Sequence, residues 1–484
     1  MDTMFVLQTF LPEDEDDDNA NMFKPVVSNI RFDLLPTYAL SVRKDHWKSP
    51  NLSAPDGVAF TTNSANCTIL SPPLFGSYHI VFVLKFADGL QWVLKVPATG
   101  YRDRFTEVAA RALTSEALTM RLLKSETTVP VPEVYSFNSS LDNAINCPFI
   151  LMEFIVGISL SECWFDNMPS KASLEQHRIK ILQDLARVMV QLNKFVYLEG
   201  GAPLFDKNGK PAGVSPLKQN DISAMWNRPE TDDPYESAIH CEVGPFSDPK
   251  SFLLCMLDRR DPPTDPFDQG IHKLLRLFVD WIPSTAGADK SDFVLSHPDY
   301  DSQNVLVSSD GKLRGLIDWD GVAIVPRYIG NERYPGWLTR DWDPAKYDYR
   351  SKPDVDGYVG YRENSPKELA IYRSMYLEFM EACCTTEDGS KLTRNSIIIE
   401  SLKNAADEPI CTVEIVEKIY NEIVCHDSDG SLTELPDDDD RHLYDIACAL
   451  AEGDLDHIRL QWIKNGFEAL FAQKQSMARM SSKA

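Results

Sequence analysis

No stretch of the sequence approaches the ~18 apolar residues that a membrane-spanning helix needs, so a membrane location is not expected. Positive charge is scarce. Lys and Arg number 48 against 73 Asp and Glu, a formal net charge of −25. A protein that grips a phosphate backbone needs a basic surface, so nucleic acid is not the expected partner. The same excess of carboxylates tilts toward a cationic small molecule. The ten cysteines, at 67, 147, 163, 241, 255, 383, 384, 411, 425 and 448, contain no Cys-x-x-Cys pair and do not join the nine histidines at zinc-ligand spacing. Thiols spread this thinly read as core residues in a reducing compartment. The start, MDTMFVLQTFLPEDEDDD, has neither a basic n-region nor arginine. Neither a secretory signal nor a mitochondrial transit peptide is therefore expected, and the expected location is cytoplasmic.

What the sequence does have is a globular composition, 43% hydrophobic with 10% aromatic residues, over 484 positions. That length exceeds one ordinary core, and two lobes are expected. The carboxylate runs Glu13–Asp18 and Asp437–Asp440 read as solvated loops or tails. Residues 1–25 and 476–484 are expected to be poorly ordered. From Gly76 the chain turns strand-rich: HIVFVLKF and QWVLKVP flank Ala87-Asp88-Gly89 as a hairpin. A helix is expected over Phe105–Leu123, then strands in VYSF and PFILMEFIVG. Beyond Gly157 the apolar spacing is helical over His177–Val196, Ile271–Trp281, Leu369–Cys383 and His442–Phe471, the last broken near Gly453. A surface hairpin is expected around Asp206–Gly209, and 320–365 reads as irregular. The reading is an α+β chain, with a small β-rich N-lobe over 26–157 and a larger, mainly helical C-lobe over 158–475.

The chemistry concentrates in FVLSHPDYDSQNVLVSSDGKLRGLIDWDGVAIVP, residues 293–326. It holds His297, Asp299 and Asn304 in the pattern H-x-D-x-x-x-x-N, followed by a hairpin turning at Asp310-Gly311 and closing on Asp318. Asn304 and Asp318 lie symmetrically about position 311, so the expectation is that they emerge together at the hairpin's open end. An amide oxygen and a carboxylate converging there suit a hard cation such as Mg²⁺. A further carboxylate, Asp299, could accept a proton at the same place, which is what phosphoryl transfer from ATP requires.

This segment resembles the catalytic core of the kinase-like superfamily, in its aminoglycoside phosphotransferase and choline kinase branch, and looks closest to fungal phosphotransferase-family proteins. The likeness rests on SHPDYDSQNVLV and LIDWDG and extends over roughly 70–345. It implies a bilobal protein-kinase-like fold with ATP and Mg²⁺ as cofactors. By the same resemblance Asp299 takes the catalytic-base position, Asn304 and Asp318 the metal positions, and His297 a structural place bracing the loop. Pro298 and Asp301 stand where protein kinases usually carry Arg and Lys, so a protein substrate is disfavoured. Asp301 is either a substrate contact or a solvated neighbour.

Such a fold also expects a strand lysine paired with a helix glutamate. Lys95 lies in the apolar strand WVLKV, where an unpaired charge is costly. Glu116 shares a helix stripe with Ala109, Ala112, Leu113, Met120 and Leu123, whereas Glu107 should face solvent. The family pairing assigns Lys95 to the nucleotide phosphates. Gly76 stands alone without a G-x-G-x-x-G run, leaving hydroxyl and backbone donors such as Ser77 to cover the phosphates. Glu153 and Ile155 fall in a strand that resembles the adenine hinge. Asp320, Trp337 and Asp341, with Trp342 and Asp343, could hold an ammonium-bearing acceptor by charge and cation–π contact, or form an aromatic loop packed on the helical lobe. The function expected is transfer of a phosphoryl group from ATP to a hydroxyl of a small molecule. The alternative is a catalytically silent, nucleotide-binding regulator.

Overall fold

A computed structural model describes residues 21–47, 66–165, 170–228, 239–283, 293–350, 362–384, 389–427 and 442–472. Both carboxylate runs and the expected C-terminal tail lie outside these residues. The small lobe contains α1 (Lys24–Asn29), α2 (Leu35–Trp47), β1 (Cys67–Ile69), β2 (Leu74–Phe75), β3 (His79–Phe86), β4 (Gln91–Pro97), α3 (Glu107–Glu126), β5 (Val134–Asn138) and β6 (Phe149–Glu153). Its strands form one antiparallel sheet in the order β1-β3-β4-β6-β5, with β2 beside β3.

The period-2 alternation of β3 sends Ile80, Phe82, Leu84 and Phe86 into a core with Phe23, Val26, Val27, Phe32 and Leu35 from the α1–α2 segment. Two features of this lobe correct the sequence reading. Phe23 is fully buried, so order begins before residue 25. The lobe also carries three helices rather than one. The helix that was expected, α3, starts at the Thr106 cap, whose side chain accepts from Ala109 N–H. Its Leu113, Ala117, Met120 and Leu123 pack into the core that continues through the large lobe.

The large lobe continues with β7 (Ile158–Ser159), α4 (Leu160–Cys163), α5 (Lys171–Met189), β8 (Val196–Tyr197), β9 (Ala202–Phe205), β10 (Pro211–Ser215), β11 (Leu217–Asn220), α6 (Ile222–Trp226) and β12 (His240–Val243). After these come α7 (Pro249–Leu254), α8 (Pro266–Trp281), β13 (Phe293–Ser296), β14 (Val305–Val307), β15 (Leu313–Leu316) and β16 (Ala323–Pro326). The chain then turns helical, with α9 (Pro366–Cys383), α10 (Gly389–Asp407), α11 (Thr412–Asp427), α12 (Leu443–Glu452) and α13 (His457–Ala472). The surface hairpin around Asp206–Gly209 is present as β9–β10. Helix α8 shows why these segments are helical: Asp265 caps it, Pro266 opens it, and Ile271, Leu274, Leu275, Phe278 and Val279 form one buried stripe. Gly453, at φ +84°, ends α12. The fold is the bilobal α+β arrangement.

Two small sheets frame the chemical segment. β13 pairs with β16 and β8, while β14 pairs with β15 and β7. The register differs by one residue from the expected symmetry. Val305 faces Leu316, a bulge separates Leu306 from Val307, and Ile317 N–H donates to Asn304 O at 3.0 Å. Asn304 therefore opposes Ile317, not Asp318. The turn, closed by Gly311 at φ +73°, is centred on Asp310 rather than on position 311, which offsets the pairing by two residues, and the bulge restores one of them.

No helix among the described residues is long and apolar enough to cross a membrane. Of the ten cysteines only Cys67, Cys147 and Cys411 are buried, so most are not the core residues expected.

Candidate active site

His297 leaves β13 and is the hub of the loop that follows. Its Nε2–H donates to Ile317 O at 3.0 Å, and its Nδ1 accepts from Asp299 N–H at 3.2 Å. The ring thus clamps the loop before Asn304 to the segment before Asp318. Trp319, fully buried, packs edge-on against it at 4.5 Å. Burial pushes the His297 pKa down to about 4, aided by the Arg333 charge, so the ring is a neutral brace. Arg333 adds a second brace, donating to Ser296 Oγ and His297 O and pairing with Glu400 at 3.0 Å. Nothing in the local sequence marks Arg333, which arrives from 36 residues downstream.

Asp299 is held on one side only. Gln303 Nε2 and Asn304 Nδ2 both donate to its Oδ2, at 2.8 and 2.9 Å, and Asn304 Nδ2 also reaches Asp299 O at 3.0 Å. Oδ1 has no protein hydrogen bond among the described residues and remains available to an incoming hydroxyl. Burial and the nearby Asp301 charge raise the Asp299 pKa, in the direction that suits a general base. Gln303 was not singled out by the sequence pattern.

Lys95 joins the lobes. Its Nζ donates to Glu116 Oε1 on α3 and to Asp318 Oδ1 in the large lobe, each at 2.7 Å. Glu116 is buried, as its stripe required, and Glu107 is exposed. Burial opposes the Lys95 charge, but Glu116, Asp318 and Asp320 outweigh it and hold the ammonium above its ordinary pKa. Burial likewise works against the Asp318 carboxylate, and Lys95 nonetheless draws it down to about 2. Asp318 sits at φ +59°, a conformation costly for a residue with a Cβ. That backbone turn accompanies the lysine contact, one position beyond the hairpin register.

These groups line one cleft of about 1160 Å³. Val81, Val93, Met152, Leu306 and Ile317 make its apolar walls, and Ser77, Lys95, Asp299, Asn304, Asp318 and Asp320 its polar end. Ile155 lines it as well. Glu153 borders the cleft, but its carboxylate is taken up structurally: it pairs with Lys124 at 3.2 Å and accepts from Glu133 N–H at 3.1 Å.

The acceptor candidates fare differently. Asp301 is neither a free contact nor solvated: it caps the turn at Ser302 and accepts from Arg340 at 2.7 Å. Asp341 receives both guanidinium nitrogens of Arg373, at 2.6 and 3.0 Å. Trp337 is buried against Trp164 and Tyr300 beside a separate pocket of about 150 Å³. Only Asp320 opens into the main cleft, where it lies 3.9 Å from His79. His79, Glu116 and Asp320 offer ligand atoms within 4.8 Å of one another, a spacing a metal could use. Glu116 already accepts from the Lys95 ammonium, which supplies the positive charge there. His240 also lines the cleft.

The profile of the phosphotransferase enzyme family matches residues 79–329, more than half of the chain. A subtelomeric hrmA-associated cluster protein of Aspergillus fumigatus is 25% identical over 350 residues, covering 62% of this chain and 66% of that protein. Altered inheritance of mitochondria protein 9, mitochondrial, from Lodderomyces elongisporus is 23% identical over 345 residues, covering 62% of this chain and 52% of that protein. The chain thus spans less than two thirds of the length of either relative. Among solved structures, a thermostable mutant of aminoglycoside phosphotransferase APH(4)-Ia in ternary complex with AMP-PNP and hygromycin B aligns with TM-score 0.37 and 13% identity, covering 85% of this chain and 94% of that one. Macrolide 2'-phosphotransferase type I aligns with TM-score 0.36 and 11% identity, covering 79% and 94%.

Proposed function

The chain belongs to the phosphotransferase enzyme family, and from that premise we propose that it transfers the γ-phosphoryl group of ATP to a hydroxyl of a small molecule. The observation that carries this reading is the Asp299 carboxylate. One of its oxygens is fixed by Gln303 and Asn304 and the other is free, in the same cleft as the Lys95–Glu116–Asp318 chain. Asp299 Oδ1 would orient the acceptor hydroxyl and take its proton. Lys95, braced by Glu116, would steady the nucleotide phosphates, and Ser77, which lines the cleft just before β3, would help cover them. The apolar walls beside Ile155 would receive the adenine. The cleft volume exceeds the several hundred Å³ of an ordinary ligand site, enough for a nucleotide and a small acceptor together.

The donor set fits Mg²⁺. Asn304 spends its amide N–H on Asp299, leaving its carbonyl oxygen without a hydrogen bond among the described residues. The Asp318 side chain is half exposed toward solvent and is held ionised. Asn304 and Asp318 would therefore hold the ion, which in this chemistry neutralises charge on the phosphates. Support for a cationic acceptor narrows to Asp320, because Asp301 and Asp341 are already paired with arginines, and Asp407 and Glu408, which also line the cleft, with Lys403 and Lys346. We place the protein in the cytosol. The yeast relatives carry "mitochondrial" in their names, and imaging of tagged protein decides between the two.

The test is ATP consumption by the purified chain with Mg²⁺ against a panel of hydroxylated amines, sugars and aminoglycosides, with Asp299→Ala alongside. Acceptor-dependent turnover lost in the variant is the expected result. Nucleotide binding without turnover on any acceptor would favour the silent regulator.

A further inference from the structure

Between α5 and α7 the chain builds a ribbon, β11–β12, that no motif in the sequence announced. Lys218 pairs across it with Glu242, and Asn220 with His240. The ribbon is anchored on both lobes. Asn220 Nδ2 donates to the Tyr78 hydroxyl at 3.2 Å, in the segment leading into β3, and Glu242 accepts from Arg111 on α3 at 2.6 Å. On the large-lobe side, Asp221 pairs with Arg259 at 3.2 Å, and Gln219 donates to Asp407 at 3.3 Å. Lys218 and His240 thereby line the polar end of the cleft, with Ser77, His79, Asp318 and Asp320.

Among the described residues, the charges at this end leave one cation uncommitted. Lys95 is bonded to two carboxylates, and Arg333 is paired with Glu400. Lys218 is half-buried, and its cross-strand neighbour Glu242 is taken by Arg111. Its ammonium makes no hydrogen bond or ion pair among the described residues. His240 Nδ1, buried beside it, is also without a partner there. The surroundings register the field of Lys218. Burial is the largest influence on His240 and lowers its pKa to about 4, with Lys218 acting in the same sense. Asp320, although burial opposes its charge, is held down by His79, Lys95 and Lys218. A triphosphate entering a wall that already carries Asp299, Asp318 and Asp320 needs cationic groups not yet neutralised.

Resting on the nucleotide reading above, we propose that Lys218 is a second phosphate-binding cation, presented by the β11–β12 ribbon across the cleft from Lys95 and reaching the terminal phosphate of ATP. This makes the ribbon a sensor of the third phosphate. Contact with it draws Lys218, and with it Asn220 and Tyr78, toward the nucleotide, in register with α3 through Glu242 and Arg111.

The experiment is calorimetric titration of the full chain, with Mg²⁺, using a non-hydrolysable ATP analogue and ADP in parallel. Wild type, Lys218→Gln and Lys218→Arg are compared. The expected result is that Lys218→Gln weakens the analogue by about tenfold, the size of one lost charge-assisted contact, while ADP affinity stays within about twofold. Lys218→Arg, which keeps the charge, recovers most of the loss and guards against a folding artefact. Equal weakening of both ligands, or no change in either, overturns the assignment of Lys218. A wild-type chain that binds neither nucleotide overturns the nucleotide reading, and this assignment falls with it. The two failures are told apart because the second appears before any substitution is made.

Discussion

Burial pushes the Glu116 carboxyl, whose side chain is only 2% exposed, up to about 7, and replacing Lys95 with methionine removes the positive charge that opposes that rise. Breaking a buried ion pair on one side commonly costs about 3–5 kcal/mol, because a charge is left without a partner. Glu116 has an escape from that penalty: it can take up a proton. The cost of doing so is set by the distance between the solution pH and the ordinary carboxyl pKa of 4.5. At pH 7 this caps the penalty at about 3.4 kcal/mol, and at pH 5 at about 1 kcal/mol, each reduced by the part that burial already exacts from the wild-type carboxyl. Asp318 adds little, since half of its side chain is open to solvent. Urea unfolding of wild type, Lys95→Met and the double variant Lys95→Met/Glu116→Gln at pH 5 and pH 7 reads this directly. The single variant should lose most stability at pH 7 and regain much of it at pH 5. The double variant, with no buried charge left, should lie close to wild type at both. A penalty in Lys95→Met that does not change between pH 5 and pH 7 would refute the argument that an orphaned carboxylate drives it.

Three further outcomes are expected. Asp299→Ala should lower phosphoryl transfer about 10²–10⁴-fold, the usual contribution of a positioned base, with nucleotide affinity little changed in calorimetry. His297 has its pKa depressed to about 4 in the folded protein, so the unfolded chain binds the extra proton between pH 6.5 and 4. Folding stability should therefore fall as pH drops through that window, by up to about 3 kcal/mol from this residue, and His297→Asn should flatten the melting-temperature profile there. His79 and His240, also lowered to about 4 chiefly by burial, and His272, lowered by burial, act in the same direction and account for slope that survives. Gly270→Ala sets helix propensity against space. Alanine gains about 0.5–1 kcal/mol in a helix interior, but its Cβ would stand 1.9 Å from Ala447 O on α12. A melting temperature below wild type is expected, and a rise would show that α8 and α12 separate freely.

Several parts of the site were legible because their information is local. His297, Asp299 and Asn304 share one loop, and Asp318 follows one hairpin later, so spacing alone brought them to the same end of the lobe. Lys95 and Glu116 declared themselves as charges in apolar patterns, and buried charges need partners. The amphipathic stripes of α3, α8 and α9 were equally readable, since helical periodicity lies within a few turns of chain. The short α1–α2 segment was missed: its burying surface is the far face of a sheet formed much later in the chain.

Other outcomes depended on contacts between distant segments. Whether Asp301 and Asp341 face a substrate was decided by Arg340 and Arg373, 39 and 32 residues away, and both acids proved to be committed to ion pairs. The turn's centre and a single bulged residue together set Asn304 opposite Ile317 and left Asp318 to reach Lys95 through a left-handed backbone turn. Lys218 has no local pattern at all, and its place in the cleft comes from a ribbon tied to both lobes. Periodicity and residue chemistry determined which side chains must be buried, paired or ionised, because those demands are met or violated within a strand or a turn. Which partner satisfies each of them was decided only by the tertiary fold, because a charge is neutralised by whatever lies within a few ångströms in space, however far it is in sequence.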